Sequence, residues 1–390
     1  MRLAVIASHP VQYYAPLFRA LARRIDLKVF FAHYATPADQ AKAGFGVGFD
    51  WDIDLLADYE HWFLRNVARE PGLDHFGGCD TPEFASLLAQ GRFDAVLLMG
   101  WHLKSSVQAL LAAKRLGIPV MARGDSHLQT PRRLLKKLVK VFAYPPFLRL
   151  FDAALYVGEQ SRAYWQHYRY PSERLFFSPH CVEAEWFATR ATSDARADLR
   201  ARLGLNPKST AVLFAGKLLP FKRPLDLIAA ASRLKSRRSP VDVVVVGSGP
   251  MQSEIIGAAA NADVSCHMLG FRNQSEMPGV YSAADILVLP SDGRETWGLV
   301  ANEALACARP IVVSDAVGCA LDLASDGSAG RVFALGDIEA LAAAISDILD
   351  HPPQADAIAA KSAAYSIDAA VEGVLHAAAF AISYRHRTAI

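Results

Sequence analysis

The feature that most limits what this chain can fold into is the regular alternation of short, β-branched apolar runs with longer amphipathic ones. In the first half, "LAVIAS", "LKVFFAH", "FDAVLLMG", "IPVMARG" and "FDAALYVG" each stay apolar for five or six residues, the pattern of strands buried on both faces. Between them, "YYAPLFRALARR" and "LKSSVQALLAAKRLG" carry helical spacing, and Gly117 before "IPV" suits a helix C-terminus. The second half repeats the logic with "TAVLFAG", "VDVVVVGSG", "VSCHMLGF", "ADILVLPS" and "PIVVSD". This alternation predicts an α/β chain of two doubly wound parallel-sheet units. The polar, helix-forming stretch "TRATSDARADLRARLGLNPKS" reads as the linker between domains at 1–190 and 205–370. The segment "AAVEGVLHAAAFAISYRHR" comes after the second unit is complete and has to pack outside that sheet.

Composition removes several function classes. A length of 390 residues allows two domains, each with its own core. A net charge of +2, with no arginine-rich or aromatic-interleaved array, excludes a strong nucleic-acid footprint for the chain as a whole. Apolar residues make up 52%, yet no uncharged run approaches the about 20 residues a spanning helix needs. The start, "MRLAVIASHP", runs straight into a strand-like pattern and reads as mature sequence of a cytoplasmic protein. Cys79, Cys181, Cys266, Cys307 and Cys319 stand singly without a C-x-x-C pair, and are expected as buried thiols.

Doubly wound sheets bind ligands at the carboxyl ends of their strands, so the loops there carry the functional reading. In "FAGKLLPFKRPLDLIAAA" a strand ends at Gly216, Lys217 and Lys222 follow, and Pro224 opens a helix. Two ammonium groups beside a helix N-terminus suit a diphosphate, with ordinary solvated lysines as the alternative. Gly247 and Gly249 in "VVVVGSGP" fit a turn but supply only half of a dinucleotide fingerprint. In "SDGRETWGLVANEALACARPIVVSD", Glu295 falls in the loop and Glu303 more than one turn into the following helix. A phosphate at that helix N-terminus would repel both carboxylates, whereas vicinal sugar hydroxyls on either side of a diphosphate would suit them. Gly298 would let the backbone approach the phosphate closely. A dipole-favoured acidic residue explains Glu295 but not Glu303.

Taken together, Gly216 to Lys222, "LGFRN", "ADILVLPS" and Glu295 to Glu303 resemble, in order, the G-R/K-x4-K loop, L-G-F turn, A-D-x4-P-S and E-x7-E motifs of family 4 glycosyltransferases. The likeness covers roughly 205 to 345. It implies the GT-B fold: two facing Rossmann-like domains, the first for the acceptor, the second for a nucleotide-sugar donor, and a final helix at about 372–390 crossing back onto the first. It also implies that Lys217 and Lys222 clamp the donor pyrophosphate, that Phe271 and Arg272 flank the base, and that Glu303 takes ribose hydroxyls. Glu295 would take donor-sugar hydroxyls, with backbone from Thr296 through Trp297 and Gly298 to Leu299 holding the transferring group. The implied reaction is retaining transfer of a hexose, metal-independent and without a cofactor, with a UDP-sugar favoured over a GDP-sugar. Two other readings stand beside it: a catalytically silent nucleotide-sugar-binding subunit, and a nucleotide-sugar 2-epimerase.

The first half departs from the family pattern. Where many members have a glycine pair, this chain has "ASHPVQYYAP", with His9 and Gln12 assigned to the acceptor side. Where many have His-Asp, it has Gly124 and Asp125; His127 stands three residues on as a substitute, or as a surface-loop histidine. Trp101 and His102 follow another strand, where the indole would stack a sugar or simply pack. "GFGVGFDWDIDLLADYE" reads as an acceptor-side loop. Its Asp50, Asp52 and Asp54 mimic a metal-binding D-x-D, but strand alternation would put all three on one solvent face, and Leu55 and His61 break a calcium-loop pattern, so no metal is assigned. Finally, 131–151 sets Leu134, Leu135, Leu138, Val139 and Phe142 against Arg133, Lys136, Lys137 and Lys140, and its apolar run continues past the helix signal at Pro145 and Pro146. An anionic inner-membrane surface and a lipid-linked saccharide acceptor are the expected partners, with a helix packed on its own domain as the alternative.

Overall fold

The computed structural model describes residues 1–205, 209–236 and 241–388. The end of the expected linker at 206–208 and the last two residues of the expected final helix lie outside them. The first domain is a seven-stranded parallel sheet made of β1 (Arg2–Ala7), β2 (Asp26–Phe31), β3 (Glu60–Phe63), β4 (Ala95–Met99), β5 (Val120–Gly124), β6 (Ala153–Tyr156) and β7 (Leu175–Phe177), in spatial order β3-β2-β1-β4-β5-β6-β7. The second is a six-stranded parallel sheet made of β8 (Thr210–Ala215), β9 (Val241–Val246), β10 (Cys266–Gly270), β11 (Ile286–Leu289), β12 (Ile311–Ser314) and β13 (Gly330–Phe333), in order β10-β9-β8-β11-β12-β13. In each sheet the order reverses beside the first strand, leaving a crevice at the carboxyl edge between β1 and β4 and between β8 and β11.

The ten apolar runs all form strands. The three that the sequence reading missed, β3, β7 and β13, are three of the four outermost strands, half-wet on an edge. An edge strand needs no continuous apolar run, so "EHWF" reads as loop. Four cysteines are buried as expected, but Cys266, on edge strand β10, is only half-buried. The helix Leu134–Leu148 carries Pro145 and Pro146 inside it. Proline already has helical φ, and the carbonyls left without a donor belong to an exposed turn that water can reach.

A parallel sheet must be covered on both faces. One face of the first sheet is covered by the final helix, Ile367–Thr388: Ala370, Val371, Val374, Ala377, Ala378 and Ala381 are buried with Leu3, Val5, Leu97 and Leu155 in a single core. By length and composition the span Ala355–Arg385 would also cross a membrane, but this alanine-rich face is spent on the sheet. The helix lies so close that a Cβ on Gly373 would stand 1.9 Å from the Phe177 carbonyl oxygen. Within the expected linker, the helix Ser193–Arg202 is tied to the second domain, Arg196 donating to the Ser282 and Ala284 carbonyls at 2.7 and 3.0 Å and to Asp285 at 2.6 Å. Gly373→Leu is expected to cost about 1–3 kcal/mol, the usual penalty of overpacking a tight contact, read as a lower urea midpoint. An unchanged midpoint would mean that the helix is seated more loosely than this.

Candidate functional site

The carboxyl edges of the two sheets face each other, and between them lies a cavity of about 340 Å³. The second domain contributes Gly216, Lys217, Lys222, Gly247, Phe271, Arg272, Glu295 and Glu303, brought together from the loops after β8, β9, β10 and β11 as the sequence spacing predicts. Gln12, Tyr13, Phe45 and Trp51 come from the first domain.

At the crevice beside β8, the short turn Pro220–Lys222 aims the Lys222 ammonium at the Glu295 carboxylate, and the two form an ion pair with little solvent access. Ser291 Oγ donates to the same carboxylate at 3.3 Å. Lys217 donates to the Ala43 carbonyl of the first domain at 2.6 Å and lies 4.4 Å from the centre of the Phe45 ring. Burial, and then the neighbouring Lys222, lower its pKa. Both lysines therefore hold partners within the chain.

Glu303 lines the cavity but is only 2% exposed, with the Tyr281 hydroxyl 2.5 Å from one carboxylate oxygen and Gln274 Nε2 3.5 Å from the other. The Tyr13 hydroxyl, from the first domain, also reaches it. Burial pushes its pKa up to about 7 against these hydrogen bonds.

The loop after β11 is anchored across the cleft. Thr296 Oγ1 donates to Asp125 at 2.8 Å, and His180 Nε2 stands 3.8 Å from the same carboxylate. Burial would raise the Asp125 pKa, but the hydrogen bonds and the imidazole outweigh it and hold the pKa well below the usual range. The Trp297 side chain is not available to a ligand: it is buried, donates to Asn302 at 2.8 Å and packs against His180 and Tyr365, so only its backbone faces the loop. Gly298, at φ +95°, starts the helix Leu299–Ala306, and a Cβ there would stand 2.4 Å from Leu289.

Several first-domain expectations change. His127 is no surface histidine: it is 1% exposed, beneath the point where the Gln129 carbonyl crosses Gly293 of the second domain, and no hydrogen bond of normal geometry reaches its ring nitrogens. Its pKa falls, chiefly through burial. Trp101 packs against Trp165 and Phe151 over the backbone of Gly124, so it serves the core rather than a sugar face, while His102 remains exposed. His9 sits beside Ser8, and burial, then His33, depress its pKa to about 4. Gln12 reaches the cavity directly.

The loop before β3, expected on the acceptor side, crosses the cleft to bond with the second domain. Its backbone forms no strand before Glu60, so the three aspartates do not share one face: the Asp50 carbonyl accepts from Asn273 at 2.8 Å, Asp52 accepts from the Ser275 amide at 3.2 Å, and Asp54 caps its own turn at Leu56. Among the described residues no group of three or more His, Cys, Asp or Glu side chains is placed to hold a metal. The sequence reading also missed Tyr13, Phe45, Trp51 and Tyr281. Tyr13 alone had a signal, a tyrosine pair directly after the first strand.

Two facing Rossmann-like domains with a shared cleft and a returning C-terminal helix define the GT-B class. The solved HepE of Anabaena, in complex with UDP, aligns with this fold over 96% of this chain and 99% of its own, with a TM-score of 0.73 and 17% identity. Residues 195–364 match the family described as glycosyl transferases group 1. Among curated relatives, the chain is 29% identical over 225 residues to a GDP-mannose-dependent alpha-(1-6)-phosphatidylinositol monomannoside mannosyltransferase of Mycolicibacterium smegmatis, covering 56% of this chain and 58% of the relative. It is 28% identical over 181 residues to a lipopolysaccharide 1,2-N-acetylglucosaminetransferase of Salmonella typhimurium, covering 44% and 46%. The chain spans about half the length of the curated relatives it matches.

The carboxyl of Glu303 should leave a signature in stability. Its pKa is raised from 4.5 to about 7 in the fold, so burial is least unfavourable while it is protonated, and stability is lost as pH rises through that window. Compared with Glu303→Gln, the wild type is expected to lose melting temperature progressively between about pH 4.5 and 7. A difference independent of pH would show an unshifted carboxyl.

Proposed function

We propose that this chain is a retaining glycosyltransferase that moves a hexose from a nucleotide-sugar, a UDP-sugar before a GDP-sugar, to a saccharide acceptor in surface polysaccharide or glycoconjugate assembly. The observation that carries this reading is the Lys222–Glu295 ion pair, with Lys217 beside it, in a cleft closed by both domains. A diphosphate entering there would take over the Lys222 ammonium and release Glu295 to accept hydroxyls of the transferring sugar. As the bond from sugar C1 to phosphate breaks, negative charge builds on the leaving diphosphate, and Lys217 and Lys222 are positioned to stabilise it. On the retaining route the acceptor attacks from the face the phosphate leaves, and the departing phosphate oxygen takes the acceptor's proton. The relatives' printed activities with GDP-mannose and with lipopolysaccharide support the reaction class. Lys222→Ala is expected to abolish transfer and weaken donor binding by about 1.5–3 kcal/mol, the worth of a charge-assisted contact, in a radiolabelled transfer assay and a titration over UDP- and GDP-sugars. Donor binding with neither transfer nor donor hydrolysis would favour the silent subunit instead.

A lipid-linked acceptor is the second part of the proposal. On the helix Leu134–Leu148 the apolar residues face outward: Leu134 and Leu135 are each 73% exposed and Phe142 78%. Arg133, Lys136 and Lys137 are exposed beside them. A helix packed on its own domain would bury that face, whereas an anionic bilayer would accept both the leucines and the basic rim. In co-sedimentation, binding to anionic vesicles at low salt is expected, lost at high salt and on neutralising Arg133, Lys136 and Lys137. Absence of binding to anionic vesicles would leave a soluble acceptor.

A further inference from the structure

Four aromatic side chains at the cleft belong to none of the hydrophobic cores: Phe45, Phe49 and Trp51 of the first domain and Phe271 of the second. The Phe49 and Phe271 rings are 4.2 Å apart and tilted by 35°, Phe45 meets Phe271 edge-on at 5.8 Å, and Trp51 meets Phe49 edge-on at 5.0 Å. All four are only half-buried. Large rings gathered on a loop and left half-wet gain little from folding alone, and their apolar area becomes useful when a flat ligand covers it.

The loop that carries them is tied down as a strap. Beyond the Lys217 contact with Ala43, the Phe45 carbonyl accepts from the Ser248 hydroxyl, the Asp50 carbonyl from Asn273 and the Asp52 carboxylate from Ser275. These anchors follow β8, β9 and β10 in turn, so the strap crosses the carboxyl edge of three adjacent strands of the other domain. Phe45, Trp51 and Phe271 line the same cavity as Lys222 and Glu295. Phe271 follows edge strand β10, whereas Glu295 follows β11, three strand positions away. At about 4.8 Å per strand that is roughly 14 Å, enough to set a planar group at one end of an extended ligand and a sugar at the other.

We propose that Phe45 and Trp51 are the first domain's share of nucleobase recognition: with Phe271 they form an aromatic pocket that stacks the base of a nucleoside diphosphate, so tight donor binding requires the strap to be seated. This rests on the nucleotide-sugar reading given above. Stacking engages the π-face that every base has, so the pocket serves affinity for uracil and guanine alike, and inorganic pyrophosphate gains nothing from it.

Calorimetric titration of the full chain with UDP, GDP and inorganic pyrophosphate separates the possibilities. Trp51→Ala is expected to weaken both nucleoside diphosphates about tenfold or more while pyrophosphate stays within about twofold, and Trp51→Phe to recover most of the loss. Unaltered binding of UDP and GDP by Trp51→Ala overturns the stacking role and leaves the donor site intact. Equal weakening of all three ligands overturns it too, because the strap would then act on the diphosphate or on the fold. Wild-type chain that binds neither UDP nor GDP defeats the nucleotide-sugar reading itself, and the stacking pocket falls with it.

Discussion

The arrangement at the cleft depends on one packing constraint, the need of the first parallel sheet for a cover that the end of the chain completes. Without the alanine-rich face of Ile367–Thr388, Leu3, Val5, Leu97 and Leu155 would lie open to water on one side. Because that helix follows the second domain, closing the first core also draws the second sheet toward it. The contact is then fixed by polar bonds at known points: Gln160 donates to the Val317 carbonyl at 3.1 Å, the Glu159 amide to Asp322 at 3.0 Å, and Thr296 to Asp125. A site made of loops from both domains can therefore be held to hydrogen-bond tolerance although no continuous sheet spans it.

The second domain was the more legible in the sequence because its candidate site residues follow closely on strands that are buried on both faces. Once β8 and β11 are recognised, Lys217, Lys222, Glu295 and Glu303 have to emerge at adjacent strand ends, and they do. In the first domain the informative residues lie in long connections whose path the pattern does not set. The aspartates at 50, 52 and 54 alternate like a strand, but Asp50 and Asp52 are placed by bonds to Asn273 and Ser275, more than 200 positions away in sequence, and Asp54 by its own turn. Trp101 was ambiguous for a similar reason, since only the bare backbone of Gly124 and the ring of Trp165, on separate elements, make its place in the core. His127 looked like a loop residue because the second domain that buries it is invisible to local periodicity.

The first loop shows how the departure from the glycine pair is absorbed. A glycine pair exposes backbone amides; "HPVQYYAP" instead sends a tyrosine to the carboxyl of Glu303, which Tyr281 also reaches. Burial and the adjacent carboxylate keep both phenols well above their ordinary pKa, so they remain neutral donors. Lys217, Lys222, Arg272, Arg294 and Glu295 line the same pocket, so Glu303, its pKa pushed up to about 7 by burial, titrates among groups whose charges bear on it. An anion bound beside Lys222 would favour the protonated form, whose single O–H one of the two phenol oxygens could then accept. The carboxyl at the second position of the glutamate pair is thus held, by burial against the two phenols, where a change in nearby charge shifts its protonation.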